Sequence, residues 1–111
     1  SAQAASGHRA DESVLPGKWH IYPEMAAASL WSTPSDLARI VIELQNSFQG
    51  KSNKVLSTEM TRQMLSRQNK TIPNSDAGLG IFLKGSPEPF RFSHNGSTEG
   101  YNAVMVGFLK T

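Results

Sequence analysis

Cysteine is absent from the 111 residues, which removes disulfides and thiolate chemistry and leaves the compartment open. Charge of either sign is also scarce: 11 basic and 9 acidic side chains leave a net charge of +2. The basic residues are scattered, Lys51, Lys54, Arg62, Arg67, Lys84, Arg91 and Lys110 among them. They form no stripe interleaved with aromatics, so nucleic acid is not an expected partner. The apolar runs are too short to span a bilayer. Ser1 to Ala10 has neither the basic start nor the apolar stretch of a secretory leader. His8 and His20 have no carboxylate or third ligand at useful spacing, so neither a metal nor any other cofactor is expected. No serine is followed by lysine three positions later. What remains is ordinary globular material, 38% hydrophobic and 18% charged, enough for one small domain over residues 1–111.

Along the chain, Ser1 to Gly17 is rich in Ala, Ser and Gly without a period and reads as loop. Lys18 to Met25, ended by Pro23 and carrying Trp19, Ile21 and Tyr22, suits a short extended segment. Ala26 to Trp31 fits a packed turn or a helix fragment. Thr33-Pro34-Ser35-Asp36 is the clearest local signal, with a capping threonine, proline at the first helical position and a carboxylate in the first turn. Leu37, Ile40, Val41, Leu44 and Phe48 then recur at helical spacing, and Gly50 ends the pattern, predicting a helix from Pro34 to about Gln49. A shorter helix starts at Ser57 or Thr58 and buries Met60, Met64 and Leu65. Gln68 to Asp76 reads as a surface loop. Three strands follow, at Gly78–Lys84, Phe90–His94 and Asn102–Leu109, with Gly85 to Pro89 as a turn. The expected class is α+β, two helices followed by an antiparallel β-meander. The final strand is unusually apolar for a sheet edge (Ala103, Val104, Met105, Val106, Phe108, Leu109), which predicts a further strand or self-association along it.

His94-Asn95-Gly96, followed by Ser97-Thr98-Glu99-Gly100-Tyr101, resembles the third active-site motif of the serine beta-lactamase, penicillin-binding protein and esterase superfamily. That motif is often Lys-Thr-Gly, with His in place of Lys in several branches. The segment from Tyr22-Pro23-Glu24 through Leu30-Trp31-Ser32-Thr33-Pro34-Ser35-Asp36-Leu37 and the stretch Gly78-Leu79-Gly80-Ile81 are similar to family segments in the same order. The likeness covers about residues 17 to 109. The family's Ser-x-x-Lys and its Tyr- or Ser-containing second motif are missing. The resemblance therefore implies the C-terminal part of a beta-lactamase-like hydrolase, inactive alone and completed by the remainder of a parent chain. It implies an acyl substrate (lactam, peptide or ester), and family members are often extracytoplasmic.

Carried over residue by residue, the resemblance gives His94 an electrostatic or proton-relay role. It makes Asn95 a polar substrate contact, Gly96 the point of close approach and Ser97 the backbone donor to an oxyanion. Tyr22 is a further candidate substrate contact. The plain alternative is that Asn95-Gly96 is a hairpin turn, since Asn-Gly is the strongest short hairpin signal. Glu99 suits a pocket mouth or a turn carboxylate equally. His8 reads as solvated loop and His20 as a hydrogen-bonded structural residue. Asp36 and Glu43 read as cap and solvated face, and Ser29 and Ser32 as capping or packing groups. A catalytically inactive interaction module that keeps the fold's surface is the rival to the hydrolase.

Overall fold

A computed structural model describes residues 4–28, 30–69 and 76–110. The elements run α1 (Met25–Ala28), α2 (Pro34–Phe48), α3 (Thr58–Met64), β1 (Phe82–Lys84), β2 (Arg91–Thr98) and β3 (Tyr101–Phe108). The α+β expectation holds: the helices precede a three-stranded antiparallel sheet of order β1-β2-β3. Ser29 and most of the expected Gln68–Asp76 loop lie outside the described residues. The chain divides into two compact units, Ser1–Ser32 with Asn95–Val104, and Thr33–His94 with Met105–Thr111.

The second unit holds the helices α2 and α3 and the apolar core. Thr33 Oγ1 accepts from the Asp36 amide at 3.1 Å, with Pro34 opening α2. Asp36 itself meets Arg39 at 3.3 Å. At the other end Gly50 takes φ +76°. There the Lys51 amide donates to the Asn46 carbonyl (2.8 Å) and the Gly50 amide to that of Ser47 (3.0 Å). This double closure is the Schellman arrangement, in which glycine takes the left-handed conformation without a Cβ penalty.

Val41 and Leu44 of α2 are buried with Leu65, Ile81, Leu83, Phe92 and Leu109. Ile40, expected in this stripe, is 47% exposed. Met60 of α3 is likewise 48% exposed, and Thr61 is buried in its place. A hydroxyl goes inside because it has a partner. Ser47 Oγ donates to the Leu56 carbonyl at 3.0 Å and lies 2.7 Å from Thr61 Oγ1. Ser47 has one proton, which the Leu56 carbonyl takes, so Thr61 is the donor between the two hydroxyls. Glu43 also departs from the expected solvated face. Its carboxylate accepts from the Ser52 hydroxyl and from the Lys54 amide at 2.9 Å, pinning the loop after α2.

The strands differ in length from expectation. Only Phe82–Lys84 of the expected Gly78–Lys84 strand is strand. The stretch before it folds back, the Gly78 amide donating to the Ile81 carbonyl at 2.9 Å. β2 instead runs on through Asn95 and Gly96 to Thr98. Gly107 of β3 lies against the buried Phe92 ring, and a Cβ there would overlap the ring atoms.

The first unit is built without such a core. Leu15 is its buried hydrophobic residue among those described. The Gly7 amide donates to the Lys18 carbonyl (2.7 Å), the Leu15 amide to Gly7 (2.9 Å) and the His8 amide to Gly100 (3.1 Å). The extended segment expected over Lys18–Met25 forms no strand, and of Ala26–Trp31 the residues up to Ala28 belong to the one-turn helix α1.

Candidate functional site

The segment His94-Asn95-Gly96-Ser97 lies wholly inside β2, so Asn95-Gly96 is not the hairpin turn. The reversal falls at Glu99-Gly100, between β2 and β3. Gly100 takes φ +82°, and a Cβ there would press into Leu15 and the Gly7 backbone. The turn therefore needs glycine at 100 for both conformation and space.

Which edge of β2 carries which amides follows from its pairing. Phe82, Leu83 and Lys84 lie opposite Ser93, Phe92 and Arg91. The Leu83 amide donates away from β2, to the Asp76 carbonyl at 2.6 Å. The hydrogen-bonded pairs are then Phe82–Ser93 and Lys84–Arg91, with Leu83–Phe92 the non-bonded pair between them. On the other side, the Leu109 amide reaches the Phe90 carbonyl at 2.8 Å. By alternation from the Leu83–Phe92 pair, even-numbered residues of β2 turn their backbone groups toward β3, while Phe90, just before the strand, divides its own, its amide donating to the Lys84 carbonyl at 2.9 Å. Odd-numbered residues turn theirs toward the β1 edge. Because β1 ends at Phe82, no strand among the described residues continues along that edge past Ser93. The amides of Asn95 and Ser97 project from this open edge.

The next odd-numbered amide, that of Glu99, donates to the Tyr22 hydroxyl at 2.7 Å. Tyr22, expected as a substrate contact, thus meets the end of the strand edge. The Glu99 carboxylate accepts from Arg9 Nε at 3.3 Å and lies 3.9 Å from His20 Nδ1. The His20 ring meets Tyr22 edge-on at 4.8 Å. Sequence reasoning missed Arg9, which stands 90 positions from its partner. These side chains are largely exposed, so the Arg9–Glu99 ion pair is screened.

Ser97 Oγ donates to Asn102 Oδ1 at 2.8 Å. Asn95 and Gly96 are exposed, and a Cβ added at Gly96 would meet no atom within 4 Å. His94 is exposed, its ring tilted 31° against Phe82 with centroids 5.9 Å apart. His8 is exposed, with Nδ1 3.0 Å from the Ser6 carbonyl. Tyr101 closes an edge-on aromatic series with Trp31 (5.5 Å) and Trp19 (5.0 Å from Trp31). Its hydroxyl lies 2.6 Å from the Ala5 carbonyl and 3.0 Å from that of Lys18.

Among the described residues no three His, Asp or Glu side chains converge on a metal-sized position. No helix among them is long and apolar enough to cross a membrane. The chain matches no family description, no curated protein and no solved structure.

Proposed function

We propose that His94–Ser97 is one wall of an acyl-transfer site of the beta-lactamase-like serine hydrolase kind, whose nucleophile comes from residues other than these 111. The observation that carries the reading is that no strand among the described residues pairs with β2 past Ser93 on the β1 side, the edge onto which strand alternation puts the amides of Asn95 and Ser97. Fixed backbone donors of this kind stabilise a developing oxyanion without reorganisation. Gly96 lies between them with open space over its α-carbon, so an acyl group approaches the strand without meeting a side chain. His94, next along the strand, supplies charge or a proton route. Tyr22 holds the strand end in place through the Glu99 amide.

The substrate class is an acyl compound: lactam, peptide or ester. The rival is an inactive module that uses the same surface to bind a partner. The same reading holds that the chain self-associates through β3, which lies at the sheet edge with Val104 72% exposed.

Amide-resolved NMR tests the wall directly. Phenylacetate, a carboxylate like the product of acyl transfer, is expected to shift the Asn95 and Ser97 amides together, and His94→Ala to weaken the response. Shifts confined to other residues would overturn the reading. The chain alone is expected to hydrolyse neither nitrocefin nor nitrophenyl esters, because no Ser-x-x-Lys is present. Covalent serine labelling by such a substrate, seen in the intact mass, would contradict it.

A further inference from the structure

Asn95-Gly96 is the sequence's sole Asn-Gly pair, and its placement in mid-strand gives it a second property, independent of any hydrolase reading. In such a pair the backbone nitrogen of the glycine can attack the asparagine side-chain carbonyl. A bond forms between Gly96 N and Asn95 Cγ, the Cγ–Nδ2 bond breaks and ammonia leaves. Water then opens the five-membered imide at either carbonyl, giving aspartate or isoaspartate at position 95. No other reactant is needed. Glycine favours the attack because no Cβ shields its nitrogen, and both residues are exposed.

Two features of the fold oppose it. Gly96 is even-numbered on β2, so its amide is turned into the ladder with β3, opposite to the amides of the open edge. The strand also keeps the backbone at Asn95 extended, with ψ near +135° in antiparallel sheets, which directs the Gly96 nitrogen away from Cγ. Attack requires the reacting atoms to reach about 3–3.5 Å in alignment, so the hairpin must open locally first.

We propose that Asn95 is a self-modification site gated by the β2–β3 pairing, closed while the hairpin is formed and reactive when it opens. The product does not restore the strand. Isoaspartate inserts an extra methylene into the backbone of β2 and disturbs the register, on which the placement of every following side chain depends. Either product also puts a carboxylate beside His94. Opening of the hairpin is thus recorded in covalent form.

The test incubates the chain at mildly alkaline pH, folded and in denaturant, then quantifies the peptide containing Asn95 by mass. Conversion is expected to be at least about tenfold slower in the folded chain, corresponding to local opening that costs ~1.4 kcal/mol or more. Gly96→Val is expected to suppress conversion in denaturant too. It is also expected to leave the melt unchanged, since a side chain there has room. Equal rates in folded and denatured chain would overturn the gating. Conversion undiminished by Gly96→Val would overturn the assignment of the nucleophile.

Discussion

The two units of the chain are held by different physics. In the Thr33–His94 and Met105–Thr111 unit, seven buried apolar side chains among the described residues form one cluster, from Val41 to Leu109. In the Ser1–Ser32 and Asn95–Val104 unit, Leu15 is the buried hydrophobic residue among those described. There, order comes from backbone bonds, edge-on aromatics and single hydroxyl contacts such as Tyr22 with Glu99. Burial of apolar area is the larger and less interruptible contribution. A net hydrogen bond contributes only about 0.5–1.5 kcal/mol. The first unit should therefore open before the second. β2 and β3 each supply residues to both, so one hairpin has a firmly packed end and a lightly held one. The proposed site residues Asn95 to Ser97 belong to the lightly held end, as binding segments often do.

The contrast breaks most visibly at Phe92, the fully buried ring against which Gly107 packs. Phe92→Ala is expected to cost about 3–5 kcal/mol, read as a large fall in the midpoint of thermal or urea unfolding. A loss below about 1 kcal/mol would show that the apolar cluster is not the main source of stability. Next comes the buried hydroxyl pair. Ser47→Ala leaves Thr61 Oγ1 without its buried partner and should cost about 1–3 kcal/mol. Thr61→Val should cost less, because Ser47 keeps its bond to the Leu56 carbonyl. Adding Thr61→Val to Ser47→Ala should recover part of the loss. Additive losses in that cycle would deny the coupling.

Tyr22→Phe sharpens the comparison from the other side. It removes the acceptor of the Glu99 amide, in the unit without a core. The expected loss is about 0.5–1.5 kcal/mol. Its signature is local, with faster hydrogen exchange at Glu99 and at Thr98, whose amide is turned into the ladder with β3, and unchanged exchange at Phe92. Equal acceleration at Phe92 would mean that the two ends of the hairpin open together.

The better-packed unit was also the more legible in the sequence, and for the same reason in each instance. α2 is specified by contacts within a few residues: Thr33 with Asp36 at one end, Gly50 and Lys51 closing the other. Such signals are local, so a linear reading finds them. Ile40 and Met60 were misplaced because helical spacing marks an apolar position without saying whether a neighbour covers it. Thr61 was missed because its partner Ser47 sits on a different helix. In the hairpin, two turn signals compete within six residues, Asn95-Gly96 and Glu99-Gly100. The second wins, and the close approach of Gly7 to Gly100, which requires the whole fold, makes glycine obligatory there. At the candidate site, residue types and order were readable. The edge that carries the Ser97 amide was not, because it depends on where β1 stops.

The smallest expected effect lies at Asp11, on the surface of the lightly held unit. Its carboxylate accepts from the Ser13 hydroxyl at 2.6 Å and the Ser13 amide at 3.0 Å. The Ser13 hydroxyl first, then the amide, hold its acidity below the ordinary carboxylate value, with Arg9 a lesser contributor. Because the folded value is the lower one, the ionised form is favoured by folding. The contribution is present above the unfolded value of 3.8 and is lost as pH falls through the folded one. The group is fully exposed, so solvent screening keeps this local. Asp11→Asn is accordingly expected to leave the global melt at neutral pH unchanged. It should remove the acid-range titration of the Ser13 amide shift, whose midpoint in the unsubstituted chain lies below 3.8. A midpoint at or above that value would mean that the Asp11–Ser13 turn is not formed in solution, and the first unit would lose one of the few contacts that order its loop.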